Sequence, residues 1–359
     1  MNIAIDARTI ADDITGSGRY VLKLIEGLRD FNLRDRRFSV TALYNKEPVH
    51  RVSGISTEVL VSNNRFKWEQ FVLPKFLNAH DFDLYHATWN YGIPFFYKGT
   101  TVLTVLDVIP LKWPPYFLSK KILTLPEYLF SLYNALIKAN KIISISKTST
   151  NDVVSVYPFA RKKITTIPLA VDIPVLPPHA HSPIPKPYIV YLGGVDKRKN
   201  IDGVIRAYAN SKTKETHDLV IVGRNAQYYW PLINKLSLGE KVHLPGFVSE
   251  EEKFTILKDA ACLVYPSFYE GFGIPVLEAM AVGTPVITSN TSSLPEVAGD
   301  CALLVNPHSE AEISTAIDKI VSSLEFSDEL RGKGFMRLNS FSWERMIEDT
   351  ITVYKGVAV

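Results

Sequence analysis

Tyr265-Pro-Ser-Phe-Tyr-Glu270-Gly-Phe-Gly-Ile-Pro-Val-Leu-Glu278-Ala-Met-Ala-Val-Gly283 is the stretch from which the fold can be read. An apolar run, Cys262 to Tyr265, ends in a glycine-rich loop, and Pro275 then opens a helix. That layout aims loop amides and the positive end of a helix at one spot, the usual way to hold a phosphate. Two carboxylates frame the spot: Glu270 on the loop and Glu278 further on, in the helix. Glutamates near helix N-termini are common, because they complement the dipole. A carboxylate set against bound phosphates is repelled by them, however, and faces hydroxyls instead. Its oxygens accept two hydrogen bonds, which suits a ribose or sugar diol. Phosphate donors beside hydroxyl-seeking carboxylates are what a nucleotide-sugar pocket requires.

Outward from this stretch, both halves of the chain alternate short apolar runs with amphipathic ones, the pattern of parallel sheets covered by helices. The first half predicts strands at 3–6, 39–44, 84–86, 101–106 and 141–144. The second predicts them at 188–192, 219–222, 242–244, 261–265, 285–288 and 302–305. Ser249-Glu-Glu-Glu252 fits a capping box ahead of Phe254-Thr-Ile-Leu257. Between the halves, residues 173–187 hold six prolines, each without an amide donor, and read as a stiff extended linker. The expected organisation is α/β: a Rossmann-like, doubly wound domain over 1–172, the linker 173–187, and a second such domain over 188–340. Residues 341–359, from Phe341-Ser-Trp-Glu344, form a final helix. Ligands of such sheets sit beyond the carboxyl ends of the strands, so the two domains are expected to face each other across a cleft.

Two further constellations lie at such ends. Thr15-Gly-Ser-Gly-Arg-Tyr20 follows the first strand and precedes an amphipathic helix (Val21, Leu22, Leu24, Ile25, Leu28). Gly16, Ser17 and Gly18 are placed to bring amides near a diphosphate, although the run falls short of a full G-x-G-x-x-G and also fits a plain flexible turn. Leu192-Gly-Gly-Val-Asp-Lys-Arg-Lys-Asn200 puts Lys197, Arg198 and Lys199 at the end of a strand, where phosphate charge is neutralised; a lone basic triplet elsewhere is usually a solvated turn. Asp81-Phe-Asp83 imitates a metal-binding D-x-D, but it precedes a strand rather than following one and reads as a polar lead-in. His86 ends its strand on the ligand side and is a candidate sugar or acceptor contact, with core packing as its competing role. No His/Cys/Asp cluster has zinc spacing, and no G-x-S-x-G elbow appears.

Composition bounds the rest. At 359 residues the chain has room for two cores. No run approaches the roughly 20 apolar residues of a membrane span, and Met1-Asn-Ile-Ala-Ile-Asp6 reads as a strand rather than a leader. Cys262 and Cys301 fall in apolar runs and read as reduced core residues, which points to the cytoplasm. Residues 1–175 carry 22 basic against 15 acidic side chains, a net +7; the remainder carries 18 against 22, a net −4. A basic first half suits an anionic membrane face or a phosphate-bearing acceptor, though uneven solvated charge gives the same count. Nucleic acid is not indicated, since no binding motif accompanies the charge. Trp113-Pro-Pro-Tyr-Phe-Leu-Ser-Lys-Lys121 mixes apolar and basic residues in a way that suits lipid headgroups or a packed loop.

Assembled, these residues resemble the retaining glycosyltransferases of family 4, with the GT-B fold, and in particular bacterial mannosyltransferases of surface polysaccharide synthesis. The resemblance runs over nearly the whole chain. It rests on the E-x7-E pair Glu270 and Glu278, Arg198-Lys199-Asn200, Gly283-Thr-Pro-Val-Ile287, Ser293-Leu-Pro-Glu296 and the first-half glycine run. It implies that Glu278 binds the donor ribose, and that Glu270 with the amides of Phe272, Gly273 and Ile274 holds the transferred sugar and diphosphate. Arg198 and Lys199 would neutralise the leaving group, Gly194 would lie in the donor loop, and Gly16 to Gly18 would approach the same phosphates from the facing domain. The first domain would bind the acceptor and the second the donor, and the final helix would cross back onto the first domain. No metal or other cofactor is implied, because cationic side chains and helix dipoles serve the leaving group.

The implied reaction moves a hexose, first of all mannose from GDP-mannose, to a hydroxyl of a lipid-diphosphate-linked glycan at the inner membrane face. UDP-hexose or dTDP-rhamnose donors, or a catalytically silent sugar-nucleotide scaffold, are the alternatives. One departure stands out. Where such enzymes often carry a His-Asp pair touching the donor hydroxymethyl group, this chain has Thr104-Val-Leu106-Asp107. Leucine cannot donate a hydrogen bond. Asp107 covers the contact, His86 supplies it, or the donor is a 6-deoxy sugar that lacks the hydroxyl.

Overall fold

Ile3-Ala-Ile and Tyr188-Ile-Val-Tyr-Leu192 are apolar without alternation, the mark of strands covered on both faces. In the computed structural model each is fully buried at the middle of its own sheet. The structure describes residues 1–12, 14, 16–35, 38–113, 125–177, 179–185 and 187–357. Thr15 of the glycine run, Pro178 and Lys186 of the linker, and residues 114–121 of the Trp113–Lys121 stretch lie outside the described residues. Contacts divide the chain into two units, Met1–Leu169 with Trp343–Val359, and Ala170–Ser342.

The first unit contains β1 (Asn2–Asp6), β2 (Ser39–Tyr44), β3 (Ser56–Val59), β4 (Leu84–Ala87), β5 (Thr101–Val105), β6 (Lys141–Ser144) and β7 (Ile164–Thr166). They form one sheet in the order β3-β2-β1-β4-β5-β6-β7, every pairing parallel. β3 and β7 are absent from the sequence expectation. Both are short, partly exposed edge strands, Ser-Thr-Glu-Val and Ile-Thr-Thr, so neither carries an apolar run. The Gly16–Asp35 helix starts at the first glycine itself, so Gly16 to Gly18 form its opening turn rather than a loop before it. A Cβ on Gly18 would lie 2.8 Å from the Thr9 carbonyl oxygen, which is why glycine sits where this turn meets the segment after β1. The Trp343–Lys355 helix packs on Gly16–Asp35, and a Cβ on Gly27 would overlap Ile347.

The second unit contains β8 (Tyr188–Leu192), β9 (Asp218–Val222), β10 (Val242–Gly246), β11 (Leu263–Tyr265), β12 (Val286–Ser289) and β13 (Leu303–Val305). Their order is β10-β9-β8-β11-β12-β13, again all parallel. The expected capping box forms: Ser249 Oγ accepts from the Glu252 amide, and the Glu252 carboxylate accepts from the Ser249 amide at 2.9 Å. In each sheet the strand order reverses once, between β1 and β4 and between β8 and β11. Loops leaving adjacent strands there diverge to opposite faces and open a crevice. Among the described residues, no helix is long and apolar enough to cross a membrane.

Candidate functional site

In the second unit the loops after β8 and β11 meet at this reversal. β8 runs into Gly193, whose φ of 151° favours glycine, and a Cβ on Gly223 beyond β9 would overlap the Gly193 carbonyl. The two backbones therefore touch, and Gly194 follows at the same edge. Asp196 caps the turn Lys197–Lys199 by accepting from the Arg198 amide at 2.9 Å. Asn200 closes it in the left-handed region, which asparagine tolerates. Its side-chain amide donates to the Pro266 and Pro307 carbonyls at 3.1 and 2.7 Å. With the Phe268 amide donating to the Arg198 carbonyl at 2.8 Å, the β8 and β11 loops become one piece.

Arg198 is buried inside that piece. Its guanidinium donates to the Tyr269 carbonyl at 2.5 Å and pairs with Glu270 Oε2 at 2.7 Å, while its Nε–H is buried with no acceptor. The Tyr265 hydroxyl donates to Glu270 Oε1 at 2.6 Å, and the Glu270 amide donates to Ser292 Oγ at 3.1 Å. Ser293 donates to the carbonyls of Glu270 and Phe272, so the segment beyond β12 braces the same loop. Burial alone pushes the Glu270 carboxyl up; Arg198, Lys199 and the Tyr265 hydroxyl outweigh it, and the net is below the ordinary value. Glu270 is thus an ionised carboxylate held at a fixed place. Lys199 lies over Gly193, where a Cβ would come within 3.2 Å of its ammonium.

Gly273, at φ 108°, turns the loop into the Ile274–Ala281 helix, with Pro275 in its first turn. The amides of Phe272, Gly273 and Ile274 come at this helix start, where no intrahelical carbonyl is within reach. Glu278, buried one turn on, pairs with Lys253 at 2.7 Å. Lys253 comes from the capped Glu250–Asp259 helix, and nothing in its sequence context marks it for this pairing. At the ends of β9 and β10, Arg224 lies over the exposed Phe247 ring, 4.4 Å from its centroid. This exposed ring, with the Arg224 guanidinium over one face, also went unread in the sequence. So the structure brings Gly194, Arg198, Lys199, Glu270, Phe272, Gly273, Ile274 and Glu278 to one strand edge, and adds Tyr265, Lys253, Asn200 and Ser293 as their supports.

In the first unit His86 is corrected. It is fully buried, with Nδ1 against the Tyr354 hydroxyl at 2.6 Å and Nε2 against Thr104 Oγ1 at 2.8 Å, and Thr104 is shared with Tyr20. Both ring nitrogens are taken, so neither is left for a sugar; burial pushes its pKa down to about 3 and keeps it neutral. Leu106 is buried, and its amide donates to Asn90. Asp107 accepts from the Ile109 amide at 3.0 Å, starting the short helix Ile109–Lys112. Asp83 accepts from the Asn2 amide at 2.6 Å at the amino end of β1, the polar lead-in expected of it. Cys262 and Cys301 are free and buried.

Two doubly wound parallel sheets, with a glycine-rich loop and a helix start at the reversal of the second, define an α/β protein of two Rossmann-like units. Solved structures agree over the whole chain. Sucrose-phosphate synthase from Thermosynechococcus elongatus superposes with a TM-score of 0.77 at 20% identity, covering 99% of this chain and 98% of that one. HepE from Anabaena, solved with UDP and glucose, gives 0.75 at 15%, covering 99% and 100%. The fold is GT-B. Residues 177–335 match the family described as "Glycosyl transferases group 1", and the second unit is a domain of that family. The O-antigen chain mannosyltransferase B of Escherichia coli is 30% identical over 239 residues, a stretch that spans 63% of this chain and 63% of that protein.

Proposed function

We propose that the chain is a retaining, metal-independent glycosyltransferase that moves a hexose from a nucleotide sugar to a hydroxyl of a lipid-linked glycan, in surface polysaccharide synthesis at the cytoplasmic membrane face. The observation that carries this reading is the buried Arg198–Glu270 pair at the start of the Ile274–Ala281 helix. The Phe272, Gly273 and Ile274 amides and Lys199 hold the donor diphosphate, with the positive charge of Arg198 behind them. Glu278, oriented by Lys253, takes the ribose diol. Phe247 offers the base a stacking face. Glu270 keeps lone pairs for sugar hydroxyls and opposes the positive charge that grows on the ring as the bond from anomeric carbon to phosphate oxygen breaks. The acceptor oxygen bonds to that carbon on the same face, and its proton passes to the departing phosphate oxygen. Charge stabilisation by Arg198, Lys199 and the helix start serves where a metal otherwise would.

GDP-mannose is the first donor to test, supported by the mannosyltransferase relative. A UDP-hexose is next, supported by the UDP and glucose in HepE. Leu106 favours dTDP-rhamnose or a silent scaffold. A thermal-shift panel of these donors against wild type and Glu278→Ala decides among them. At 100 times the dissociation constant, a donor stabilises by about 2.7 kcal/mol. One donor should shift wild type and not the variant; no shift with any of them moves the scaffold reading to first place.

A further inference from the structure

The first unit leaves a stripe of aromatic and aliphatic side chains exposed to water. Phe130, Tyr133 and Ile137 share one face of the Leu125–Lys138 helix, at the i, i+3, i+7 spacing of a helix side, and all three are about half exposed. The stripe extends both ways through ring contacts. Phe130 stacks on Phe95 at 4.7 Å between centroids, and Phe95 adjoins Phe96, which is 86% exposed. At the other end Tyr133 meets Phe159 edge-on at 6.0 Å, and Val156, three residues before Phe159, is also exposed. Single exposed apolar residues are ordinary, but a contiguous run of them marks a contact surface.

Charge says which contact. Lys98 follows the stripe at one end. Lys138 donates to the Tyr97 carbonyl at 3.1 Å, and Lys163 to the Ile137 carbonyl at 2.6 Å, so both ammonium groups flank the rings. Arg161 and Lys162 are exposed on the same turn as Phe159. Over 95–98, 125–138 and 156–163 the sole carboxylate is Glu127, which pairs with Arg65. Aromatic rings within a basic rim suit the boundary of an anionic bilayer: rings enter the headgroup region while long cationic side chains reach the phosphates.

We propose that this stripe, Phe96, Phe130, Tyr133, Ile137 and Phe159 with Arg161 and Lys162, is where the protein rests on an anionic lipid surface. It deepens the lipid-linked acceptor reading above. Its test needs neither donor nor acceptor, so the two fail separately. The full chain is floated with phosphatidylcholine vesicles, with and without phosphatidylglycerol, at 0.1 and 1 M salt. Binding is expected only with phosphatidylglycerol and should fall as the screening length drops from about 10 Å to about 3 Å. Arg161→Gln with Lys162→Gln should weaken it about fivefold per charge removed, and Phe96→Ser with Phe130→Ser on the order of tenfold. These side chains are at least half exposed or on a surface turn, so the melting temperature should hold. No flotation with anionic vesicles, or wild-type flotation by both variants, overturns the proposal. Self-association of wild type that Phe96→Ser dissolves also overturns it, in favour of a second copy as the occupant.

Discussion

His86 shows how one buried residue sets a pH response. Its ring is neutral in the folded protein, with the pKa held down to about 3, while in the unfolded chain it titrates near the ordinary 6.5. Between those values the unfolded state binds the extra proton, so stability contributed above 6.5 is lost as pH falls toward 3. Urea titrations across this range should show wild type weakening with acid more steeply than His86→Gln. Equal slopes would mean that the buried ring takes up its proton in place. Leu106 carries the second prediction at this scale. With a hexose donor, Leu106→His should raise turnover severalfold if the missing hydroxymethyl contact reflects a 6-deoxy donor. Unchanged turnover would remove that explanation. The His86 alternative has already gone, because Tyr354 and Thr104 occupy its nitrogens.

Among elements, the turn after β8 depends on an approach of two backbones. Gly223 and the Gly193 carbonyl leave no room for a methyl group, and neither neighbour is a side chain that can swing aside. Gly223→Ala should cost about 1–3 kcal/mol through displaced backbone. Because that turn carries Arg198 and Lys199, it should also weaken donor binding, seen as a smaller thermal shift at fixed donor concentration. A variant that is destabilised yet binds donor normally would separate the turn from the pocket. The Arg198–Glu270 pair makes the same point from the other side. Its residues are far apart in sequence, and the pair is held by Asp196 and Asn200 at the two ends of the turn after β8, Tyr265 at the end of β11 and Ser293 beyond β12.

At the scale of the whole molecule, the chain crosses between its units twice, so the last helix stabilises the first unit and not its sequence neighbours. Met346, Ile347, Ile351 and Tyr354 are all buried there. Removing residues 343–359 should open amide exchange in β1, β4 and β5 while β8, β9 and β11 keep their protection. Equal loss in both sheets would show that the two units melt as one.

Short apolar runs without alternation, a proline-dense stretch and a glycine loop before Pro275 were enough to read two parallel sheets. They also marked the edge carrying Glu270, Glu278, Arg198 and Lys199. Those signals are local, because burying a strand on both faces, ending a helix or freeing an amide constrains residues that are neighbours in sequence. The edge strands β3 and β7, the pairing of Lys253 with Glu278 and the sealing of His86 depended on contacts between distant segments. Half-exposed edges need no apolar run, and a lysine or histidine looks the same in sequence whether its partner is water, a ligand or a tyrosine 268 positions away. Only the packed chain decides between them, since burial and hydrogen bonding are set by what folds against a residue.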